Sequence, residues 1–292
     1  MVEKRSVGEI IFDSFNIVLL IVLAFLFLYP MWYVLVASLS SGHAIARGQV
    51  NFWPVGFNLD AYQKVFANQE IWTAYLNTIF YVTVGTAINL VLTTLGAYPL
   101  SRQDLYGRGL FMGIIVFTMF FSGGLIPIYL NARDLGLYNT RWALLLPPGI
   151  SAFNLIVMRT FFQTIPDSLI ESAKIDGANE FKILARIVLP LSKPVLAVMV
   201  LFYAVAHWNS WFNALIFLRD RSLFPLQLLL REILIQASAA EMATGITTRE
   251  ITTISESIKY ATIIVSTLPV LVIYPFLQKY FVQGVMIGAI KE

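Results

Sequence analysis

Residues 171–190 read Glu171-Ser-Ala-Lys-Ile-Asp-Gly177-Ala-Asn-Glu-Phe-Lys-Ile-Leu-Ala-Arg-Ile-Val-Leu-Pro190, and a long apolar segment lies on either side of them. The stretch is charged and rich in helix-forming residues, with one glycine inside it and one proline at its end. Such a segment is a poor contact for lipid tails because its charges would have to leave water. It is better suited to contact another protein.

Two short helices that meet at the glycine are predicted here. The sequence Thr164-Ile-Pro-Asp167 is typical of a helix start, with a threonine cap, an early proline and an acid near the positive end of the helix dipole. We expect this helix to run to about Asp176. Gly177 then suits the left-handed position that ends a helix, and Asn179 begins the second helix. The proline at residue 190 marks a bend into the next apolar segment.

Composition predicts a membrane protein independently of this stretch. Of the 292 residues, 58% are hydrophobic and 13% are charged, whereas about 25% are charged in an average soluble domain. Helices of about 20 apolar residues cross a bilayer because all their backbone groups are hydrogen-bonded internally. We therefore expect an all-α integral membrane protein with six transmembrane helices, at about residues 14–38, 74–99, 109–131, 142–160, 194–217 and 260–283.

The distribution of cations favours an orientation with both termini in the cytoplasm. Lys4 and Arg5 precede the first predicted span, and most outward cations lie in two long loops, where the positive-inside rule has least weight. Residues 1–13 are then a cytoplasmic lead-in. Residues 14–292 form one transmembrane domain, with the charged loop at about 161–193 between the fourth and fifth spans.

Several function classes are excluded by what the sequence contains. The net charge of +3 is dispersed over loops, which argues against nucleic acid as a partner. Zero cysteines and two histidines leave little for metal chemistry. Motifs for phosphate binding, serine hydrolysis or zinc hydrolysis do not occur. We therefore expect no catalytic residues, no metal and no cofactor in this chain.

The charged loop resembles the EAA loop of binding-protein-dependent ABC importer permeases. The match is carried by Glu171, Ala173 and Gly177 and by the Ile187-Val-Leu-Pro190 end, while Ser172 replaces the first alanine of the triplet. Serine is small enough to keep close packing, although it adds a hydroxyl and slightly weakens the helix. The residues that this resemblance assigns to coupling are Glu171, Ser172, Ala173, Asp176, Gly177, Ile187, Leu189 and Pro190.

In that family the loop docks in a cleft of a cytoplasmic ATP-binding subunit. The resemblance implies that Glu171 is a polar anchor, that Ala173 and Gly177 allow close approach, and that Leu189 and Pro190 fix the loop to the fifth span. Closure of the ATPase pair would then push the membrane helices as rigid bodies. Hydrolysis, with its ATP and Mg²⁺, would belong to the partner subunits.

Further segments resemble the second permease of carbohydrate importers, similar to the smaller permease of the maltose transporter. They include residues 121–129, 134–140, 158–162 and 203–214, and they are nearest to the oligosaccharide branch of pectin- or alginate-fragment and lipoprotein-associated permeases. The implied partners are a homologous permease, two ATP-binding subunits, an extracytoplasmic solute-binding protein, a carbohydrate and the lipid of a bacterial cytoplasmic membrane.

The fifth predicted span carries polar and aromatic residues on one helical face. At about 100° per residue, these side chains occupy one continuous arc. Amides bond sugar hydroxyls and aromatic rings stack on apolar sugar faces, so the arc is a candidate substrate pathway. Hydrogen bonding between helices without any ligand is the open alternative. The candidate pathway residues are Tyr203, His207, Asn209, Ser210, Trp211 and Asn213.

An ion-gradient-driven secondary transporter is the alternative function. That class usually has carboxylates buried in its spans and inverted repeats, and neither is evident here. An exporter-type membrane domain is a further alternative. Dependence of uptake on ATP and on a secreted binding protein discriminates among the three.

Overall fold

The computed structural model describes residues 6–243, 257–272 and 275. Within these ranges the secondary structure is helical, without a β-strand. Contacts divide the chain into two compact units, Met1–Asn68 with Glu232–Leu268, and Gln69–Arg231 with Pro269–Glu292. Each unit is described by itself.

The first unit is built around a long N-terminal helix, α1 (Val7–Ser38). Ser6 and Glu9 form a reciprocal capping box, with the Glu9 backbone N–H 3.2 Å from the Ser6 hydroxyl and the Ser6 N–H 2.9 Å from the Glu9 carboxylate. Because the helix begins at Val7, the predicted boundary between a lead-in and the first span at residue 13 falls inside α1. Most of the apolar side chains of α1 are exposed.

The short helices α2 (Gly42–Ala46) and α3 (Asp60–Ala67) follow α1 in the first unit. A small core lies where the end of α1 meets α2, and Tyr33 and Tyr260 pack against it. Its buried residues are Val36, Ala37, Ala44, Ile45 and Val50.

The second unit contains most of the helices. They are α4 (Gln69–Ser101), α5 (Arg108–Phe120), α6 (Leu125–Asp134), α7 (Trp142–Leu145), α8 (Ala152–Phe162), α9 (Asp167–Ile175), α10 (Glu180–Ile183), α11 (Leu189–Leu191), α12 (Lys193–Trp208) and α13 (Phe212–Phe217). A π-helical turn, Leu184–Val188, joins α10 to α11, and a 3₁₀ turn, Arg221–Leu223, follows α13. Helix α14 (Leu226–Ala243) begins in this unit, and α15 (Ser257–Val272) follows later in the chain.

The core of the second unit is formed by α4, which packs against α8 and α12. Small residues on α4 allow this close packing, since Ala97 is fully buried. Met158 of α8 and Met199 of α12 are also completely buried in the same cluster. The three helices therefore form a tightly packed bundle, which positions the charged loop at one end.

Two helices in the described part of the chain, α1 and α4, are long and apolar enough to cross a membrane as continuous helices. Two further pairs meet that criterion only as bent units: α5 with α6, bent by 113°, and Glu180–Leu191 with α12, bent by 85°. The predicted third span is therefore not one straight helix. The Gly123-Gly124 pair predicts a kink or an unwound turn within it, and the chain breaks there, where Gly124 has φ +83°.

Two other predicted spans differ from long continuous helices. The predicted fourth span is interrupted between α7 and α8, where the Pro147-Pro148 pair prevents continuous backbone bonding. The predicted sixth span, 260–283, corresponds to α15 as far as residue 272, and nearly all of its remainder lies outside the described residues.

Candidate functional site

The charged loop forms an elbow of two short helices that meet at Gly177, and we call residues 161–193 the elbow. Gly177 has φ +76°, its N–H bonds the carbonyl of Lys174 at 3.0 Å, and the N–H of Ala178 bonds the carbonyl of Ala173 at 2.9 Å. This pair of bonds is a Schellman motif, which satisfies the last carbonyls of α9. The predicted glycine turn is confirmed.

The starts of the two elbow helices differ in how well the sequence predicted them. Asn179 caps α10, since its side-chain oxygen accepts the N–H of Lys182 at 2.9 Å, as expected. Thr164 does not cap α9: that helix begins after Pro166, without a side-chain cap. The Thr164 hydroxyl donates instead to the carbonyl of Phe161 at 2.8 Å.

The inner side of the elbow is buried against α4 and α8. Ile170 of α9 and Ile183 of α10 are almost completely buried in the cluster that holds Met158. Ala173, Ile187 and Leu189 are partly buried against the same cluster. The π-helical turn contributes two more buried residues, Leu184 and Val188. The elbow is therefore packed onto the bundle as a fixed body.

The outer side of the elbow is exposed. Glu171, Ser172, Asp176, Gly177 and Pro190 all lie on it. Two large apolar side chains accompany them, Ile175, which is 87% exposed, and Phe181, which is 74% exposed. The Ser172 hydroxyl is used locally, because it donates to the carbonyl of Ser168 at 2.6 Å. Large apolar side chains exposed together are typical of a surface that another protein covers.

Polar contacts tie the elbow to the end of α4. Glu180 accepts the Tyr98 O–H at 2.6 Å and lies 2.8 Å from the Lys174 ammonium. Arg102 donates to Asp167 at 2.8 Å. We call Tyr98, Arg102, Asp167, Lys174 and Glu180 the clamp.

Charges in the clamp shift each other's proton affinity. The hydrogen bonds from Lys174 and from Tyr98 lower the pKa of the Glu180 carboxyl. The hydrogen bond to Glu180 raises the pKa of Lys174. With side-chain exposures of 41% for Lys174 and 52% for Glu180, this pair contributes the modest stabilisation of a surface ion pair, about 0.2–1 kcal/mol.

Sequence reasoning did not identify the clamp as a unit. Tyr98 and Glu180 are 82 residues apart, and Arg102 and Asp167 are 65 apart. Spacing within one sequence carries no signal for such contacts. A weak signal was available in the three acids and one base at Asp167, Glu171, Lys174 and Glu180, whose charges could not all face a partner.

The predicted fifth span is broken in the middle of its polar arc. Helix α12 ends at Trp208 and α13 begins at Phe212, so the expectation of one continuous helical face over 203–213 is wrong. The Asn209 side chain donates to the carbonyl of Val205 at 3.0 Å. Asparagine side chains that bond nearby carbonyls compete with the helical backbone pattern, and this favours a helix end.

Two of the six pathway candidates are buried between helices. The His207 ring nitrogen Nε2 lies 2.6 Å from the Asn89 side-chain oxygen, and a Cβ atom on Gly85 would lie only 2.5 Å from the same nitrogen. The Asn89 amide also donates to the carbonyls of Pro148 and Gly149, at 2.7 and 2.9 Å. His207 therefore holds α12 to α4 and to the chain before α8.

Tyr203 has the same interhelical role. Its hydroxyl lies 2.7 Å from the Thr93 hydroxyl of α4 and accepts the backbone N–H of Ser151 at 3.2 Å. Neither Tyr203 nor His207 offers its ring to a ligand in this conformation, since both side chains are buried. For these two residues, the interhelical alternative fits the structure better.

The other four pathway candidates lie at or next to the break. Asn209 and Asn213 are exposed, and Ser210 and Trp211 are partly exposed. The Trp211 and Phe212 rings pack edge to face with centroids 5.5 Å apart, and the Arg231 guanidinium lies over the Trp211 ring at 3.6 Å from its centroid. The break therefore exposes two amides and a hydroxyl next to the Trp211 ring, on which the Arg231 guanidinium is stacked.

Comparison with known proteins identifies relatives along almost the whole chain. Residues 5–287 match the family described as binding-protein-dependent transport system inner membrane component. The polygalacturonan/rhamnogalacturonan transport system permease protein YtcP of Bacillus subtilis (strain 168) is 43% identical over 286 residues, 96% of this chain and 98% of that protein. Protein LplC of the same organism is 42% identical over 281 residues, 96% of this chain and 95% of that protein.

A solved structure is also similar. It is the crystal structure of a bacterial ABC transporter involved in the import of the acidic polysaccharide alginate. The matched chain is 38% identical, with a TM-score of 0.86 over 95% of this chain and 99% of that one.

Proposed function

The chain belongs to the family of inner membrane components of binding-protein-dependent transport systems, and from this premise we propose that it lines the pathway of an ATP-driven oligosaccharide importer. It is a membrane permease subunit of an ABC sugar transporter and not an enzyme. Membership of this family sets aside the gradient-driven transporter that the sequence left open.

The elbow is the proposed coupling loop, and the Gly177 turn with its exposed outer side is the observation that carries this assignment. Its inner side is packed on the bundle, so the outer side, with Glu171, Ile175 and Phe181, is what a partner can reach. The proposed partner is a cytoplasmic ATP-binding subunit, present in two copies, which binds the ATP and Mg²⁺. This chain supplies no cofactor site of its own.

Six spans with both termini in the cytoplasm are the proposed topology, in a bacterial cytoplasmic membrane. Support comes from α1 and α4 as continuous apolar helices and from the bent pair of α5 with α6, counted once. In this proposal the α7–α8 segment, α12 with α13, and α15 supply the other three spans. The elbow then lies between the fourth and fifth spans, on the cytoplasmic side, and the 85° bend before α12 separates it from the fifth span.

Motion of the ATPase reaches the membrane through packed contacts. The clamp binds the elbow to the end of α4, and the buried Ile170 and Ile183 bind it to α8. Since α4, α8 and α12 are packed together, a push on the elbow moves them as one body, as alternating access requires. A homologous permease provides the opposite wall of the pathway.

The break between α12 and α13 is the proposed substrate contact. Asn209, Ser210 and Asn213 present groups that bond sugar hydroxyls, while Tyr203 and His207 hold the bundle behind them. A solute-binding protein delivers the sugar from outside the cell.

Gentle detergent purification of the tagged chain from its native membranes, followed by mass identification and stoichiometry, tests this proposal. We expect one homologous permease and two copies of an ATP-binding subunit to co-purify. A lone chain or a homodimer, stable in the same detergent and free of any ATPase, would contradict the proposal.

A further inference from the structure

Arg231 and Trp211 form a stacked pair at the break in the fifth span. The guanidinium carbon lies 3.6 Å from the centroid of the Trp211 ring. The N–H groups of a guanidinium lie in its own plane, so a guanidinium stacked on an aromatic ring directs them sideways and not into the ring. Stacking therefore fixes the orientation of the charge without using its hydrogen-bond donors.

The charge of Arg231 is not neutralised by a neighbouring acid in residues 6–243, 257–272 and 275. Arg102 and Arg221 do have carboxylate partners, Asp167 at 2.8 Å and Glu70 at 3.1 Å. Arginine carries five N–H donors and no acceptor. Arg231 is thus a partly exposed cation, oriented by the stack, whose donors remain available.

The stack also changes what the Trp211 ring can bind. Arg231 covers one face of the Trp211 ring and the Phe212 ring packs against it edge to face, so Trp211 does not offer both of its faces to a neutral sugar ring. Exposed amides lie two residues away on either side, at Asn209 and Asn213. The group therefore combines a planar fork of donors with amides suited to hydroxyls.

We propose that Arg231, oriented by Trp211, binds the carboxylate of an acidic sugar unit, a uronate, as it passes the break. This inference rests on the proposed transport function and specifies its substrate class. A carboxylate accepts two parallel N–H bonds from a guanidinium, a geometry that a neutral sugar cannot reproduce. A neutral sugar at the same position would leave the guanidinium shielded from water without a partner, which disfavours it.

The test uses the whole importer, with its binding protein, reconstituted in proteoliposomes. Ligand-stimulated ATP hydrolysis is measured with trigalacturonate, with trimannuronate and with the carboxyl-reduced, neutral form of each. The variants are Arg231→Gln, Arg231→Lys and the control Arg219→Gln, which removes one charge from an exposed arginine that does not stack on Trp211.

For Arg231→Gln we expect the half-maximal concentration of the acidic trisaccharide to rise about 10- to 100-fold, as loss of a charged hydrogen bond predicts. Arg231→Lys should be intermediate because it keeps the charge and loses the fork. Arg219→Gln should match the wild type. Thermal unfolding of the complex and any response to neutral sugars should be unchanged in all variants.

Three results would overturn the carboxylate site while leaving the transport function intact. They are an unchanged acidic response in Arg231→Gln, an equal loss with acidic and neutral sugars, and a wild type that responds only to neutral sugars. A wild-type importer that responds to no saccharide, or that hydrolyses no ATP, would instead count against the proposed function.

Discussion

Substitution of Gly177 separates two reasons for a glycine at the turn of the elbow. The backbone there has φ +76°, while a Cβ atom would meet nothing within 4 Å in this chain. Within the chain, the cost of a side chain is therefore conformational and not steric. The left-handed conformation costs an ordinary residue about 1–2 kcal/mol and is tolerated best by asparagine after glycine.

A cost of this size corresponds to a change of about 5- to 30-fold in the balance between the native elbow and its opened forms. We expect that loss for Gly177→Ala, a larger one for the β-branched Gly177→Val, and a much smaller one for Gly177→Asn. Gly113→Ala is the matched control, because its Cβ also meets nothing within 4 Å but its backbone is helical with negative φ.

Hydrogen exchange across residues 167–183 of the reconstituted importer measures the opening, and sugar-stimulated ATP hydrolysis measures coupling. Both should follow the order Gly113→Ala and Gly177→Asn, then Gly177→Ala, then Gly177→Val. If Gly177→Asn loses as much coupling as Gly177→Val, close approach of the partner subunit is the requirement, and the conformational argument is refuted. Normal coupling in Gly177→Val would refute any role for the turn.

Three further predictions concern the clamp, the bundle and the outer side of the elbow. Hydrogen bonds from Lys174 and Tyr98 lower the pKa of Glu180, so the stabilisation from this carboxylate is present above the unfolded pKa of about 4.3 and is lost as pH falls through the lower folded value. Glu180→Gln should therefore flatten the fall in thermal stability between pH 6 and pH 3. Parallel stability curves for the variant and the wild type would contradict this. Gly85→Ala should destabilise the chain by about 1–3 kcal/mol, because its Cβ would lie 2.5 Å from His207. The same substitution should cost less in a His207→Ala background. An equal cost in both backgrounds, measured by thermal unfolding, would rule out this contact as the cause. Ile175→Glu, on a side chain that is 87% exposed, should abolish co-purification of the ATP-binding subunit without lowering the unfolding midpoint; retention of that subunit would place its contact elsewhere.

Local features of the elbow could be predicted from sequence because their causes are local. The turn at Gly177 needs a residue that tolerates positive φ, and Asn179 caps a helix through an N–H three residues ahead. The start of α9 was predicted less well. Thr164 is a suitable cap in type, yet its hydroxyl bonds a carbonyl of the preceding helix.

Features that depend on distant residues could not be predicted. Helical periodicity placed Tyr203 and His207 on one polar face, but it could not show whether that face meets another helix or a cavity. The answer depends on Thr93 and Asn89 of α4, more than 100 residues earlier in the chain. The helix break at Asn209 likewise contains no proline or glycine, the residues that usually indicate a break in a sequence.

The π-helical turn Leu184–Val188 has a consequence for exchanging elbows between importers. A π turn holds one residue more than the α-helical turn it replaces. Removing that residue would turn the segment into an ordinary α-helix and leave Phe181 on its present side relative to Pro190. Removing a residue from the α-helical part of the segment would instead rotate Phe181 by about 100° relative to Pro190. Elbows that differ in length by one residue therefore present the same side to the ATPase only where a π turn takes up the difference.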